Sequence, residues 1–263
     1  MASLSGTRRI WLTGATSGIG EALAKRLLAD GHRVALTARR EEALQTLAAG
    51  YPNALVVPAD LTDRAATRRA GAAIEEAFGG LDIALLNAGT CEYVDVREFD
   101  VELVERVFAT NFQGTLYAID AALPLLRRAE GRTQAPLLAA VSSASAYLPL
   151  PRAEAYGASK AAISHFLESL RLDLAAERID VSVIHPGFVE TPLTARNDFS
   201  MPMQISAERA AEYIVEGLAK RRLDIHFPRR FTYLVKALGV LPPALRRRFG
   251  LRIAGRGRGG GEA

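Results

Sequence analysis

The chain has 263 residues, 49% hydrophobic and 24% charged, the proportions of an ordinary globular protein, which exclude a fibrous or wholly disordered chain. Cys91 is the single cysteine, so there is no disulfide framework and no thiolate metal site, and a reducing compartment is expected. The formal charge of +4 is unevenly placed: residues 229–263 net +8 and residues 1–228 net −4, so the basic excess belongs to a tail and no nucleic-acid partner is expected.

The start, Met1 to Arg9, lacks the long apolar region of a signal peptide. The longest uncharged stretch, Thr133–Pro151, carries three serines and three prolines and does not read as a membrane span. A soluble, cytoplasmic protein is expected. In chain order, short apolar and β-branched runs predict strands at Arg9–Thr13, Arg33–Ala38, Ala54–Pro58, Asp82–Asn87, Pro136–Ser142, Asp180–His185 and Asp224–Phe227. Helical spacing predicts helices between them at Gly18–Asp30, Glu41–Ala49, Asp63–Phe78, Val101–Arg128, Ala153–Glu177 and Ala207–Lys220. Near-continuous apolar strands such as Ile83-Ala-Leu-Leu86 imply burial on both faces, hence a parallel sheet covered by helices on each side. The fold class is therefore α/β, a doubly wound, Rossmann-like parallel sheet of about seven strands with a C-terminal helical extension. Residues 1–228 read as the nucleotide-binding catalytic domain, 229–253 as a basic amphipathic extension and 254–263 as a disordered Gly/Arg tail.

In such folds ligands bind beyond the carboxyl ends of the strands. The first strand runs into Gly14-Ala-Thr-Ser-Gly18-Ile-Gly20 and then a helix. Gly14 permits a tight turn, Gly18 lets the backbone approach a phosphate, and Gly20 lets the helix pack on the strand with its N-terminal amides facing an anion. At the end of the second strand no acidic residue is present to hold ribose hydroxyls, whereas Arg39 and Arg40 can meet a 2′-phosphate, which favours NADP(H) over NAD(H). Tyr156 and Lys160, four residues apart on a predicted helix, share a face, and an adjacent cation is expected to lower the phenol pKa toward neutrality. Ser142, Ser143 and Ser145 end the fifth strand, where a hydroxyl can hydrogen-bond a substrate carbonyl as it becomes an alkoxide.

Together Thr13-Gly-Ala-Thr-Ser-Gly-Ile-Gly20, Asp60, Asn87-Ala-Gly89, Asn111, Ser143, Tyr156-x-x-x-Lys160 and Pro186-Gly187 resemble the short-chain dehydrogenases/reductases of the shorter type, over about residues 8 to 228. The resemblance implies that Ser143, thirteen residues before Tyr156, is the catalytic serine, and that Asn111, Ser143, Tyr156 and Lys160 form a catalytic tetrad with Asn111 holding a water on a proton relay from Lys160. It further implies cofactor contacts from Gly14, Thr16, Ser17, Gly18, Ile19 and Gly20, adenine contacts from Asp60 and Leu61, and a cleft lined by Asn87, Ala88 and Gly89. Lys160 and Tyr156 would meet the nicotinamide ribose, and Pro186, Gly187, Val189 and Thr191 would flank the nicotinamide amide. In the implied reduction NADPH delivers hydride to a carbonyl carbon, Ser143 holds the oxygen and Tyr156 donates the proton.

The four histidines lie on different elements without metal-ligand spacing, so no metal is expected, and Cys91 is given no role. The apolar segment Phe188–Ser206 points to a hydrophobic carbonyl substrate, a fatty, aromatic or polycyclic ketone or aldehyde, or equally to a lid packing on its own body. The extension either packs over the substrate cleft or on a partner subunit, the favoured reading, or lies on an anionic membrane surface. The helices Val101–Arg128 and Ala153–Glu177 are, by resemblance, the surfaces of a homodimer or homotetramer. The rival functions are reduction of 3-oxoacyl thioesters on a carrier protein, whose acidic surface the tail could meet, and a non-catalytic NADP(H)-sensing or scaffold protein, which the intact tetrad disfavours.

Overall fold

The computed structural model describes residues 3–128, 134–197, 199 and 201–258. Seven strands, β1 (Arg9–Thr13), β2 (Arg33–Thr37), β3 (Ala54–Val56), β4 (Ile83–Leu86), β5 (Leu137–Val141), β6 (Asp180–Pro186) and β7 (Asp224–Phe227), form one sheet in the order β3-β2-β1-β4-β5-β6-β7, all parallel. The chain winds outward from β1 through β2 to β3, then returns to the other side of β1 at β4. The switch point therefore lies between the carboxyl ends of β1 and β4, where a crevice opens for a ligand.

The interleaved helices are α1 (Gly18–Ala29), α2 (Glu41–Ala48), α3 (Arg64–Phe78), α4 (Val101–Phe108), α5 (Gly114–Arg127), α6 (Glu154–Leu174) and α7 (Ala207–Ala219). The apolar strands separate into two cores because successive side chains point to opposite faces. Ile10, Leu12, Val34, Leu36 and Leu85 meet Leu23 and Leu27 of α1 and Ile214 and Leu218 of α7. Trp11, Ala35, Ala84, Leu86 and Leu138 meet Ile74 of α3, Leu125 of α5 and Leu167 of α6. Both sets are fully withdrawn from water, each large side chain contributing about 1.5–3 kcal/mol, so the expected doubly covered sheet is what the chain builds. Local signals place the helix ends: Asp63 caps α3 by accepting from the amides of Ala65 and Ala66 (2.8 and 3.1 Å), and Gly79 ends it in the left-handed region at φ +70°.

Two regions differ from the sequence reading. The single helix expected over Val101–Arg128 is interrupted by a π-turn at Ala109–Gln113, which carries Asn111; one extra residue in a turn leaves little trace in a 3.6-residue pattern. The extension forms two helices, α8 (Arg229–Gly239) and α9 (Pro243–Arg258), so the last helix runs five residues into the stretch read as a disordered tail, since a helix once nucleated gains a backbone bond with each added residue. Residues 259–263 of that tail lie outside the described residues.

Candidate active site

The crevice at the β1–β4 switch point is shaped by glycines. Gly14 has φ +66°, and a Cβ there would stand 2.8 Å from Ala88 Cα. Gly20 sits against the chain: a Cβ would fall 2.0 Å from the Gly14 carbonyl oxygen. Gly18, at φ +51°, leaves room for Thr191, whose Cγ2 would be 2.8 Å from an added Cβ. Asn87 holds the turn from the β4 side, donating through Nδ2 to the carbonyls of Thr13 and Gly14 (both 3.2 Å), while Thr13 Oγ1 accepts from the amides of Asn87 and Ala88 (3.0 and 3.1 Å). Ser17 occupies the N-cap of α1 in extended conformation, yet its hydroxyl does not cap the helix, so the first-turn amides remain available to an external anion. A glycine cradle that any Cβ would fill, closed by an uncapped helix N-terminus, fits a dinucleotide pyrophosphate.

Arg39 and Arg40 follow β2 and are exposed. Asp60 lies near Arg39, and hydrogen bonds from Thr62, with a smaller contribution from that guanidinium, hold its carboxyl below the usual range despite partial burial. Leu61 is buried against the crevice wall beside Gly114.

At the ends of β4, β5 and α6 the structure brings together Asn111, Ser143, Tyr156 and Lys160. The three candidate serines separate here. Ser142 is committed to the Lys160 carbonyl oxygen (2.8 Å) and to Ser164, and Ser145 Oγ is buried without a partner, whereas Ser143 hydrogen-bonds the Tyr156 phenol and accepts from the Ser145 amide (3.1 Å). Lys160 is buried, donating from Nζ to the Val141 carbonyl (2.8 Å) with Nζ 5.9 Å from the centroid of the Tyr156 ring. Gly89 makes space for this group: a Cβ there would lie 3.1 Å from Asn111 Oδ1 and 3.2 Å from Lys160 Nζ. Asn111 is fully buried and doubly tied to Thr90, accepting from its amide (2.7 Å) and donating to its carbonyl (2.9 Å).

The pKa expectation is corrected. Tyr156 is partly exposed as a residue, but its hydroxyl end is desolvated, and burial pushes the phenol up to about 12 against the opposing hydrogen bond from Ser143. Lys160 does not lower it, because the ammonium is turned to the Val141 carbonyl and is itself pushed down to about 8 by burial. At neutral pH the pair is thus a protonated phenol beside an ammonium, arranged to donate a proton.

A sequence profile described as short chain dehydrogenase matches residues 8–200. The chain belongs to the short-chain dehydrogenase family. An "Uncharacterized oxidoreductase" of Myxococcus xanthus is 35% identical over 244 residues, covering 90% of this chain and 94% of that protein. The 11-beta-hydroxysteroid dehydrogenase 1A of Arabidopsis thaliana is 34% identical, covering 87% and 71%. Among solved structures, a short chain dehydrogenase from Burkholderia cenocepacia J2315 in complex with NADP superimposes with a TM-score of 0.73 at 28% identity, covering 86% of this chain and 96% of that one. A 3-ketoacyl-(acyl-carrier-protein) reductase from Brucella melitensis complexed with NADH gives 0.75 at 25% identity, covering 84% and 96%. The chain is accordingly an oxidoreductase.

Beside the Ser143–Tyr156–Lys160 group lies a cluster of aromatic side chains. Cys91, given no role from sequence, lies close enough to Tyr156 and Lys160 to influence both, and it hydrogen-bonds Tyr93. Tyr93 donates to Asn197 Oδ1 (2.7 Å) and meets Phe199 edge-on with ring centroids 5.9 Å apart. Phe188 joins Phe199 to Phe231 of α8, at 6.1 and 5.3 Å. Phe188 and Phe199 therefore form, with Tyr93, an aromatic cluster on which one face of the extension packs through Phe231. For the part of Cys91 the one sequence signal is its place two residues after Asn87-Ala-Gly89.

Proposed function

We propose that the protein is an NADP(H)-dependent oxidoreductase interconverting an apolar ketone or aldehyde, aromatic or polycyclic, and its alcohol. The observation that carries this reading is the contact of the Ser143 hydroxyl with a protonated Tyr156 phenol beside Lys160, with Tyr93 of the Tyr93–Phe199–Phe188–Phe231 cluster near enough to feel the phenol. When bound, the dinucleotide supplies or accepts the hydride. Gly14 to Gly20 hold its pyrophosphate, with Thr16, Ser17 and Ile19 on the loop, and Arg39 and Arg40 take the 2′-phosphate. Asp60 and Leu61 meet the adenine, Asn87 to Gly89 line the cleft, and Pro186, Gly187, Val189 and Thr191 border the amide. Ser143 holds the substrate oxygen and Tyr156 delivers a proton to it as charge develops, with the Lys160 ammonium placed to meet the nicotinamide ribose. Asn111 fixes the Thr90 loop opposite Lys160 and stands in the relay that returns the proton.

The 34% identity to a relative named as a hydroxysteroid dehydrogenase favours a polycyclic substrate. The similarity to a 3-ketoacyl-(acyl-carrier-protein) reductase keeps 3-oxoacyl thioesters as the second reading. NADPH oxidation against a panel of polycyclic and aromatic ketones, aldehydes and 3-oxoacyl thioesters tests both. Turnover of the cyclic ketones is expected; turnover of thioesters alone favours the second reading, and silence with tight NADPH binding returns the sensor reading.

Two features of assembly belong to the same reading. Leu172, 77% exposed on α6, supports the homodimer or homotetramer expected through α4–α6. No helix among the described residues is long and apolar enough to cross a membrane. The outward faces of α8 and α9 and the turn between them instead expose Tyr233, Leu234, Val240, Leu245, Phe249 and Leu251 beside Arg230, Arg247 and Arg248, with no acidic residue from 229 to 258, a composition that favours peripheral contact with anionic lipid.

A further inference from the structure

A polar chain, buried at its inner end and partly exposed at Asp224 and Lys236, runs from the backbone of the catalytic residues to α8, outside the groups that touch substrate. Ser142 and Ser164 both reach the Lys160 carbonyl oxygen (2.8 and 2.9 Å), and their hydroxyls are 2.7 Å apart. Ser164 Oγ is 3.0 Å from His185 Nε2, and His185 Nδ1 is 2.9 Å from Asp224 Oδ1. Asp224 accepts from the Tyr147 hydroxyl (3.1 Å) and from the Lys236 ammonium of α8. Against desolvation, which would raise it, hydrogen bonds from His185 and Lys236 hold the Asp224 carboxyl well below the usual range. Ser142, Ser164 and His185 are all buried, so each link left unmade would strand a polar atom away from water.

Helix α8 reaches the same place by two further contacts. Gly239 packs on the chain just after the serine loop, where a Cβ would stand 2.1 Å from the Tyr147 carbonyl oxygen, and Lys236 Nζ lies 4.8 Å from the centroid of the Tyr147 ring. Phe231 abuts Gly187, its Cδ1 2.8 Å from the position of an added Cβ. The ends of β5 and β6, with Ser143 on one and Pro186-Gly187 on the other, are thus gripped by a helix that lies beyond residue 200, where the match to the family profile ends.

We infer that Asp224, held between His185 and Lys236, is a positioning residue for the reaction: the chain Lys236–Asp224–His185–Ser164 fixes the backbone of Ser142–Ser143 and Lys160, and makes α8 a working part of the active site. This role rests on the oxidoreductase reading for its effect on turnover but not for its effect on the fold of the serine loop. None of its members touches the reacting atoms. Their effect on turnover comes from the ångström-scale placement of Ser143 and Lys160, to which rates are steeply sensitive.

The test uses the full chain in the variants Asp224→Asn, Lys236→Met and Lys236→Arg, with Lys220→Met as a control that loses an exposed ion pair to Glu216. Asp224→Asn and Lys236→Met are expected to lower kcat roughly tenfold to a hundredfold. The substrate KM and the NADPH Kd should change less than twofold, Lys236→Arg should recover most of the loss, and the control should match the parent. Amide hydrogen exchange, read without substrate, should quicken at 142–147 and 158–164 in the two damaging variants. Unchanged exchange there, or a kcat loss that tracks equally lost cofactor binding, overturns the inference. Faster exchange in a protein whose parent turns over nothing would sustain the bracing and count against the oxidoreductase reading.

Discussion

The two ends of the crevice are built from different material. The cofactor end is made of backbone: Gly14, Gly18 and Gly20 leave a cradle, Asn87 and Thr13 tie it, and the α1 amides point into it. The proposed substrate end is made of side chains, Phe188, Phe199 and Phe231, from the 188–206 segment and α8, with His185 of β6 and Asp224 of β7 behind the serine loop. A backbone site can bind the same dinucleotide for many different reactions, whereas a side-chain site is free to choose its substrate, and that division lets one fold serve many chemistries.

Substitutions sharpen this contrast in descending order of effect. At the junction of the two ends, Tyr156→Phe is expected to cut turnover by about 10² to 10⁴ while NADPH titration stays as in the parent; retained turnover would remove the phenol from its role. Gly20→Ala is expected to cost about 1–3 kcal/mol by overpacking, since the new Cβ cannot share space with the Gly14 carbonyl, and to weaken NADPH and NADH alike. Wild-type affinity in that variant would break the claim that the cofactor end is set by backbone shape. Arg39→Asp replaces a guanidinium that can make charge-assisted bonds of about 1.5–3 kcal/mol, so it should weaken NADPH roughly tenfold or more and NADH much less, as read by fluorescence titration.

The pH profile tests the junction without mutation. Lys160, pushed down to about 8, is an ammonium below that pH and loses its charge above it, while the phenol, pushed up to about 12, stays protonated throughout. For reduction, kcat/KM should therefore be flat up to about 8 and then fall toward tenfold per pH unit. A flat profile to pH 10 would show that the charge of Lys160 is not required. The smallest effect is expected at the outer side of α8 and the turn that follows it: Leu234→Asp with Val240→Asp should lower sedimentation with anionic vesicles a few-fold and leave activity on a soluble ketone unchanged. Equal sedimentation of parent and variant would sink the membrane contact.

Legibility follows the same division. The strand and helix order, the glycine loop and the Tyr156–Lys160 pair could be read from the chain because each is a short-range pattern. The choice among Ser142, Ser143 and Ser145 could not be made from the residues alone; it needed the family spacing, and the structure shows why, since Ser142 is occupied by Lys160 and Ser164. The direction of the Tyr156 pKa is not legible in the chain, because adjacency on a helix says nothing of burial, and burial here outweighs the opposing hydrogen bond from Ser143. His185 was weighed only as a metal ligand, although its partners are Ser164 and an aspartate 39 residues away.

By itself the sequence determined the doubly wound sheet, the dinucleotide cradle and the family, because glycine conformations, helix N-termini and the period of apolar residues are local requirements that few residue types meet. Tertiary structure alone decided where α8 goes, what occupies Ser142, how far Tyr156 and Lys160 are desolvated, and which aromatic rings gather around Phe188. Those outcomes depend on contacts such as Tyr147 with Asp224, 77 residues apart, which many pairings of ordinary polar and aromatic residues could satisfy and which only the packing of the whole sheet selects.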